Sequence, residues 1–220
     1  MARTLKFGRK AARSGSPKSL VIFLHGYGAD GADLLSLADV LAPHLPDTAF
    51  VAPDAAERVP GAPHGYQWFS IPRFDGSSEA QSLAGLARST EDLTEFLAQR
   101  AAYEKLPLEA CAFVGFSQGA MMALHVSARL PVAMAAVVAI SGRLVVPERL
   151  EAEVTARPPV MLIHGDRDEV VPFDSMSLAG DALTRCGFNV YVHVMRGSGH
   201  GIAQDGLQVT LGFLDNFLPK

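Results

Sequence analysis

Apolar residues gather along this chain into short runs separated by longer segments of mixed character. Residues 19–26 (SLVIFLHG), 48–53 (TAFVAP), 110–116 (ACAFVGF), 134–141 (MAAVVAIS), 159–165 (PVMLIHG) and 189–195 (NVYVHVM) are short, mostly apolar and β-branched. Each ends in glycine, proline or loop residues, the pattern of strands buried on both faces. Between them, helices are predicted over 32–41, 82–102, 118–129, 174–186 and 204–218. In the second of these, Leu83, Leu86, Thr90, Leu93 and Leu97 recur at three- and four-residue steps and predict one buried face. Strand and helix alternate to the end of the chain. That alternation calls for right-handed crossovers and a mostly parallel central sheet with helices on both faces, an α/β class in which reactive groups belong at the carboxyl ends of the strands.

The rest of the chain adds few further elements. Residues 53–78 are irregular, contain several prolines, and are too long for a simple connection, so they read as a functional wall. The segment between the strands ending at Ser141 and starting near Pro159 is too short for a separate cap domain. A length of 220 residues, 49% of them hydrophobic, fits a single domain over 1–220. Arg3, Lys6, Arg9, Lys10, Arg13 and Lys18 all precede the first acidic residue, Asp30, so 1–18 is a basic N-terminal segment, read as an edge strand or a partly mobile stretch. The whole chain nevertheless carries a formal charge of −4, which supplies no field for gathering nucleic acid phosphates. Two cysteines, Cys111 and Cys186, cannot build a disulfide framework and read as free thiols. The N-terminus lacks a signal-peptide core and no stretch approaches the ~20 apolar residues of a membrane span, pointing to a cytoplasmic protein without integral membrane association. A homodimer is compatible with all of this.

The chemistry centres on Ser117. Gly115-Phe116-Ser117-Gln118-Gly119 matches G-x-S-x-G and lies between a predicted strand and a predicted helix, where a sharp turn lifts a serine hydroxyl above the sheet. A helix N-cap is the plain alternative for such a serine. Partners in the right order argue for a nucleophile, because serine needs a base, and the base needs a third group to orient it and stabilise its charge. His200 sits in a glycine-rich loop after the last strand, and Asp168 in the loop after the preceding one. Asp166, Glu169 and Asp174 share that loop and compete for the acid's place, whereas His25 and His164, each before a glycine at a strand end, read as structural. A tetrahedral oxyanion also needs preorganised donors. The backbone N–H groups of Gln118 and of Tyr27, in the glycine-rich turn LHGYGADG, are the candidates.

These blocks, FLHGYGADGADLLSLADVLA, FVAPDA, YQWF, VGFSQGAMMAL, ISG, IHGDRDEVVP and GSGHGI, resemble in kind and order those of the bacterial carboxylesterases related to acyl-protein thioesterases and lysophospholipases, over about residues 19–218. The resemblance implies an α/β-hydrolase fold without a cap domain, no metal or organic cofactor, and hydrolysis of small-molecule esters, with thioesters as an extension. It places Ser117 at the nucleophile, Asp168 at the acid, His200 at the base, and Tyr27 and Gln118 at the oxyanion donors. Tyr27 stands where many relatives carry leucine, Ser70 where they often carry aspartate, and Arg143 where an uncharged residue is usual, differences that bear on substrate choice. Trp68, Phe69, Phe74 and Val145, with Val146, are candidate walls of an apolar acyl pocket, while Met121 and Met122 read as core. Arg143 reads as the partner of a nearby acid such as Glu148 or, alternatively, of an anionic group on the substrate. The expected function is therefore a serine carboxylesterase for short- to medium-chain esters. The alternatives are a lysophospholipase or acyl-protein thioesterase acting on long chains and, more remotely, a non-catalytic binding protein of the same fold.

Overall fold

In the computed structural model, which describes residues 2–220, nine strands and eight helices are laid out in chain order. The strands are β1 (Phe7–Lys10), β2 (Ser19–Leu24), β3 (Thr48–Pro53), β4 (Glu57–Arg58), β5 (Tyr66–Gln67), β6 (Cys111–Phe116), β7 (Ala136–Ile140), β8 (Val160–Gly165) and β9 (Val190–Met195). The helices are α1 (Gly31–Leu35), α2 (Ala38–Leu41), α3 (Pro72–Asp75), α4 (Glu79–Glu104), α5 (Gln118–Ser127), α6 (Leu150–Glu153), α7 (Asp174–Arg185) and α8 (Gln204–Phe217). Seven strands form one sheet in the order β1-β3-β2-β6-β7-β8-β9, with β1 antiparallel to β3 and every other pairing parallel. β4 and β5 form a separate antiparallel ribbon.

Side-chain alternation explains the two layers. Along β2, Leu20, Ile22 and Leu24 enter one apolar cluster with residues of α4, α5 and α7, whereas Val21 and Phe23 enter a second with residues of α1, α2 and α8. Both faces of the central strands are thus withdrawn from water, which is why they read as unbroken apolar runs. The connection between β7 and β8 holds only the single-turn α6 and a short 3₁₀ turn, and inserts no cap domain.

The N-terminal segment supplies the antiparallel edge strand β1, and its basic residues find local acids. Arg3 pairs with Glu57 and the buried Asp92, Arg9 with Glu104, and Lys18 with Asp47. Three expectations need correction. The helix predicted over 32–41 is broken into α1 and α2, because Ser36 Oγ donates to the Asp33 carbonyl at 2.6 Å and Leu37 N–H turns to Leu34, three residues back. On α4, Leu83 is exposed, and the buried face is completed instead by Ser89, Asp92 and Phe96. Finally, β9 is not buried on both faces. It is the last strand of the sheet, and Tyr191 and Val192 are exposed there.

Candidate active site

Ser117 follows β6 and precedes α5 with φ 53° and ψ −115°, a positive-φ geometry that costs a non-glycine residue energy. The neighbouring glycines permit it. A Cβ on Gly115 would overlap the Gly119 carbonyl, and one on Gly119 would overlap the Leu24 carbonyl in the adjacent strand. Ser117 N–H donates to the Ile140 carbonyl at 2.8 Å, pinning the turn to β7. Its side chain makes no capping hydrogen bond, which disposes of the N-cap alternative.

Instead, Ser117 Oγ lies 2.9 Å from His200 Nε2, and His200 Nδ1 lies 2.7 Å from Asp168 Oδ2. The other carboxylate oxygen of Asp168 accepts the N–H groups of Val170 and Val171, both at 2.9 Å. Burial by itself would push the Asp168 carboxyl up. The His200 hydrogen bond, the two backbone donors and the attraction of an imidazolium outweigh it and hold this carboxyl below its ordinary range. His200 is carried by a loop tied to the acid loop twice, by Arg167 N–H donating to Ser198 O at 3.0 Å and Gly197 N–H donating to Asp166 Oδ1 at 2.6 Å. Asp166, the nearest competitor for the acid, is exposed and spends its carboxylate on that clamp.

Tyr27 follows β2 in a turn held by Gly28 N–H to Tyr66 O at 2.9 Å and Tyr66 N–H to Ala29 O at 2.9 Å. Among the described residues, the N–H groups of Tyr27 and Gln118 have no protein acceptor. Gln118 is buried, and its side chain ties the elbow to the preceding wall: Oε1 accepts Trp68 N–H at 2.8 Å and Nε2 donates to Phe69 O at 2.7 Å. His25 holds the oxyanion-side turn. Because its Nε2 accepts Ala55 N–H at 3.0 Å, the ring proton resides on Nδ1, which donates to Gly26 O at 2.8 Å. His164 Nε2 bonds the Val171 carbonyl at 3.0 Å, also a structural contact.

A cavity of about 590 Å³ opens on Ser117 and His200. Phe69, Phe74, Arg143 and Tyr27 line it. Trp68 and Val145 do not. Trp68 is fully buried and donates its indole N–H to the His25 carbonyl at 2.9 Å, bracing the strand end from behind, while Val145 packs into the core beneath the loop. Val146 likewise packs against that core. Met122 is core, but Met121 reaches the cavity wall. The pairing of Arg143 with Glu148 is absent: among the described residues, Arg143 is exposed and has no hydrogen-bond or ion-pair partner. Ile71, Arg73 and the stretch Val170–Pro172 also line the wall and were not singled out from the sequence. Their only signal was their place in the long irregular stretch and just after Asp168. Among the described residues, no three His, Cys, Asp or Glu side chains cluster as a metal site.

Comparison with known proteins agrees with this architecture. A family model described as phospholipase/carboxylesterase matches residues 11–218. The solved structure of esterase PE8 superposes with a TM-score of 0.93 at 44% identity, covering 98% of this chain and 100% of that one. The chain is 28% identical to acyl-protein thioesterase 1 of Debaryomyces hansenii, with 100% of both covered, and 29% identical to esterase YpfH of Escherichia coli, with 92% of this chain and 84% of that one covered.

Proposed function

From the premise that the chain belongs to the phospholipase/carboxylesterase family and is a serine hydrolase of carboxylic esters, we propose how its residues divide the work. Ser117 Oγ attacks the acyl carbonyl as His200 Nε2 takes its proton, and Asp168 fixes the imidazole tautomer and stabilises the imidazolium that forms. The developing oxyanion is met by the N–H groups of Tyr27 and Gln118, the latter also at the positive end of α5. His200 then returns its proton to the departing alcohol or thiol. Water attacks the acyl-enzyme by the same route, with His200 again the base, and frees the acid and Ser117.

The observation that carries this reading is the unbroken hydrogen-bonded line from Ser117 through His200 to Asp168, at 2.9 and 2.7 Å, opening on an apolar cavity. Replacing Ser117 by alanine is expected to remove on the order of 10³ to 10⁶ of the turnover of p-nitrophenyl esters. Equal turnover by wild type and variant would refute Ser117 as nucleophile, and silence of both on every ester would favour the binding-protein alternative.

The substrate class we infer is short- to medium-chain esters, supported by a cavity of moderate size walled by Phe69, Met121 and Phe74. A specific observation supports a second reading: Phe74 and Val170, at the cavity wall, are 50% and 38% exposed and extend apolar surface outward, where a longer acyl chain of a lysophospholipid or lipidated protein could lie. A chain-length series separates the two, since kcat/KM that climbs steadily toward long chains selects the second. We further infer that the protein works as a single domain in the cytoplasm, without metal, organic cofactor or nucleic acid. No helix among the described residues is long and apolar enough to cross a membrane, and a homodimer remains compatible with the fold.

A further inference from the structure

The cavity beside Ser117 carries Arg73 and Arg143 in its walls and no aspartate or glutamate. This local sign runs against the molecule, whose formal charge is −4. Arg73 is fixed in place: its Nη2 donates to the Val170 carbonyl at 2.7 Å and its guanidinium lies 4.6 Å above the Phe74 ring, and both of those residues line the same cavity. Asp75, the acidic residue of the same short helix, is already engaged by the N–H groups of Ile71 and Ser77, at 3.1 and 2.9 Å.

Arg143 is held beside the elbow by its neighbour. A Cβ at Gly142 would lie 3.2 Å from the Ser117 carbonyl oxygen, so the chain crosses the nucleophile's own backbone one residue before the arginine. Arg3, Arg9, Arg88 and Arg129 are each taken by a carboxylate. Arg143 is among the arginines with no carboxylate partner among the described residues, and of these only Arg143 and Arg73 line the cavity that holds Ser117. A guanidinium presents a planar fork of donors matched to a carboxylate or phosphate, and its attraction is strengthened beside apolar walls such as Phe69 and Met121.

We propose that Arg143, with Arg73 in the same cavity, forms a subsite for an oxyanion, so that the enzyme selects esters bearing a second, negatively charged group, a carboxylate or a phosphate, tethered to the scissile ester. This rests on the serine-hydrolase reading of Ser117, and the probes test the two separately.

Two matched pairs of substrates suffice. The p-nitrophenyl half-ester of glutaric acid against p-nitrophenyl valerate places the anion on the acyl side, and butyryl glycerol phosphate against monobutyrin places it on the alcohol side. Wild-type turnover of the neutral members reports on Ser117 alone. The expected result is a kcat/KM ratio, anionic over neutral, well above one for at least one pair, which also identifies the side that carries the charge. That ratio is expected to fall roughly ten- to a hundredfold in Arg143→Gln, the worth of a charge-assisted hydrogen bond, and to shrink with added salt. Because Arg143 is exposed and unpartnered, the fold does not depend on it. Ratios near one for both pairs in the wild type, or a ratio unchanged in Arg143→Gln, would overturn the proposal.

Discussion

Asp166 and Asp168 stand two residues apart in one loop, and their surroundings assign them different work. Asp168 is buried, faces His200 at 2.7 Å and takes two further backbone donors, whereas Asp166 is exposed and holds Gly197. Asp168→Asn is expected to lower kcat on the order of 10⁴, because the amide can no longer hold the productive imidazole tautomer. Asp166→Asn is expected to change it little. Steady-state kinetics on one ester decides the matter, and the opposite ranking would move the acid to Asp166. Trp68, at the same scale, shows where single-residue reading fails. An indole in an irregular stretch has the composition of a pocket wall, yet its N–H is drawn to the His25 carbonyl and the ring is buried behind the site. Met121 and Met122 show the reverse, adjacent residues of like chemistry that the pitch of α5 sends to the cavity and to the core.

The elbow joining β6 to α5 is the element on which the site depends. Its two glycines are required by contact between backbones, since Gly119 packs on the Leu24 carbonyl and lies beside that of His25 in a strand that has neighbours on both sides. Gly119→Ala is therefore expected to destabilise the protein by an amount at or above the upper end of the roughly 1–3 kcal/mol typical of overpacking, read as a drop in the urea midpoint and in soluble yield. A variant with a wild-type midpoint would mean that strand and helix separate freely there. The short α3 and the ribbon of β4 and β5 matter in a different way. They carry Phe69 to Phe74 across the mouth of the site, and Gln118 bolts that segment to the elbow through two hydrogen bonds.

Across the whole molecule, buried histidines link stability to pH. His125 lies in the helix beneath the elbow with its Nδ1 unpartnered, and burial, aided by the charges of Arg129 and Arg149, pushes its pKa down from 6.5 to about 4. Burial also lowers that of His25, against the opposing pull of the Gly26 carbonyl. A depressed histidine stays neutral in the fold while the unfolded chain takes up a proton, so the unfolded state binds more protons and stability falls as pH drops. The loss should begin near 6.5 and, for His125, be complete near 4. Asp168, whose carboxyl is held low, adds a further loss below that range. The melting temperature is expected to fall steadily through this window, and His125→Gln to flatten part of the slope. A melting temperature constant from pH 6.5 to 4.5 would contradict it.

From the sequence by its own pattern came the six parallel strands, five of them buried, four of the five main helical segments to within a few residues, and the order Ser117, Asp168, His200 along the chain. They could be read there because apolar periodicity and glycine spacing are local consequences of backbone geometry. Which residues meet was settled by the packing of the folded chain. It turned Leu83 and Val192 outward, removed Trp68 and Val145 from the cavity, brought in Arg73 and Val170, and left Arg143 without an acid. Those outcomes depend on how loops from distant strands settle against one another, and loop contacts leave no period in the sequence for a reader to find.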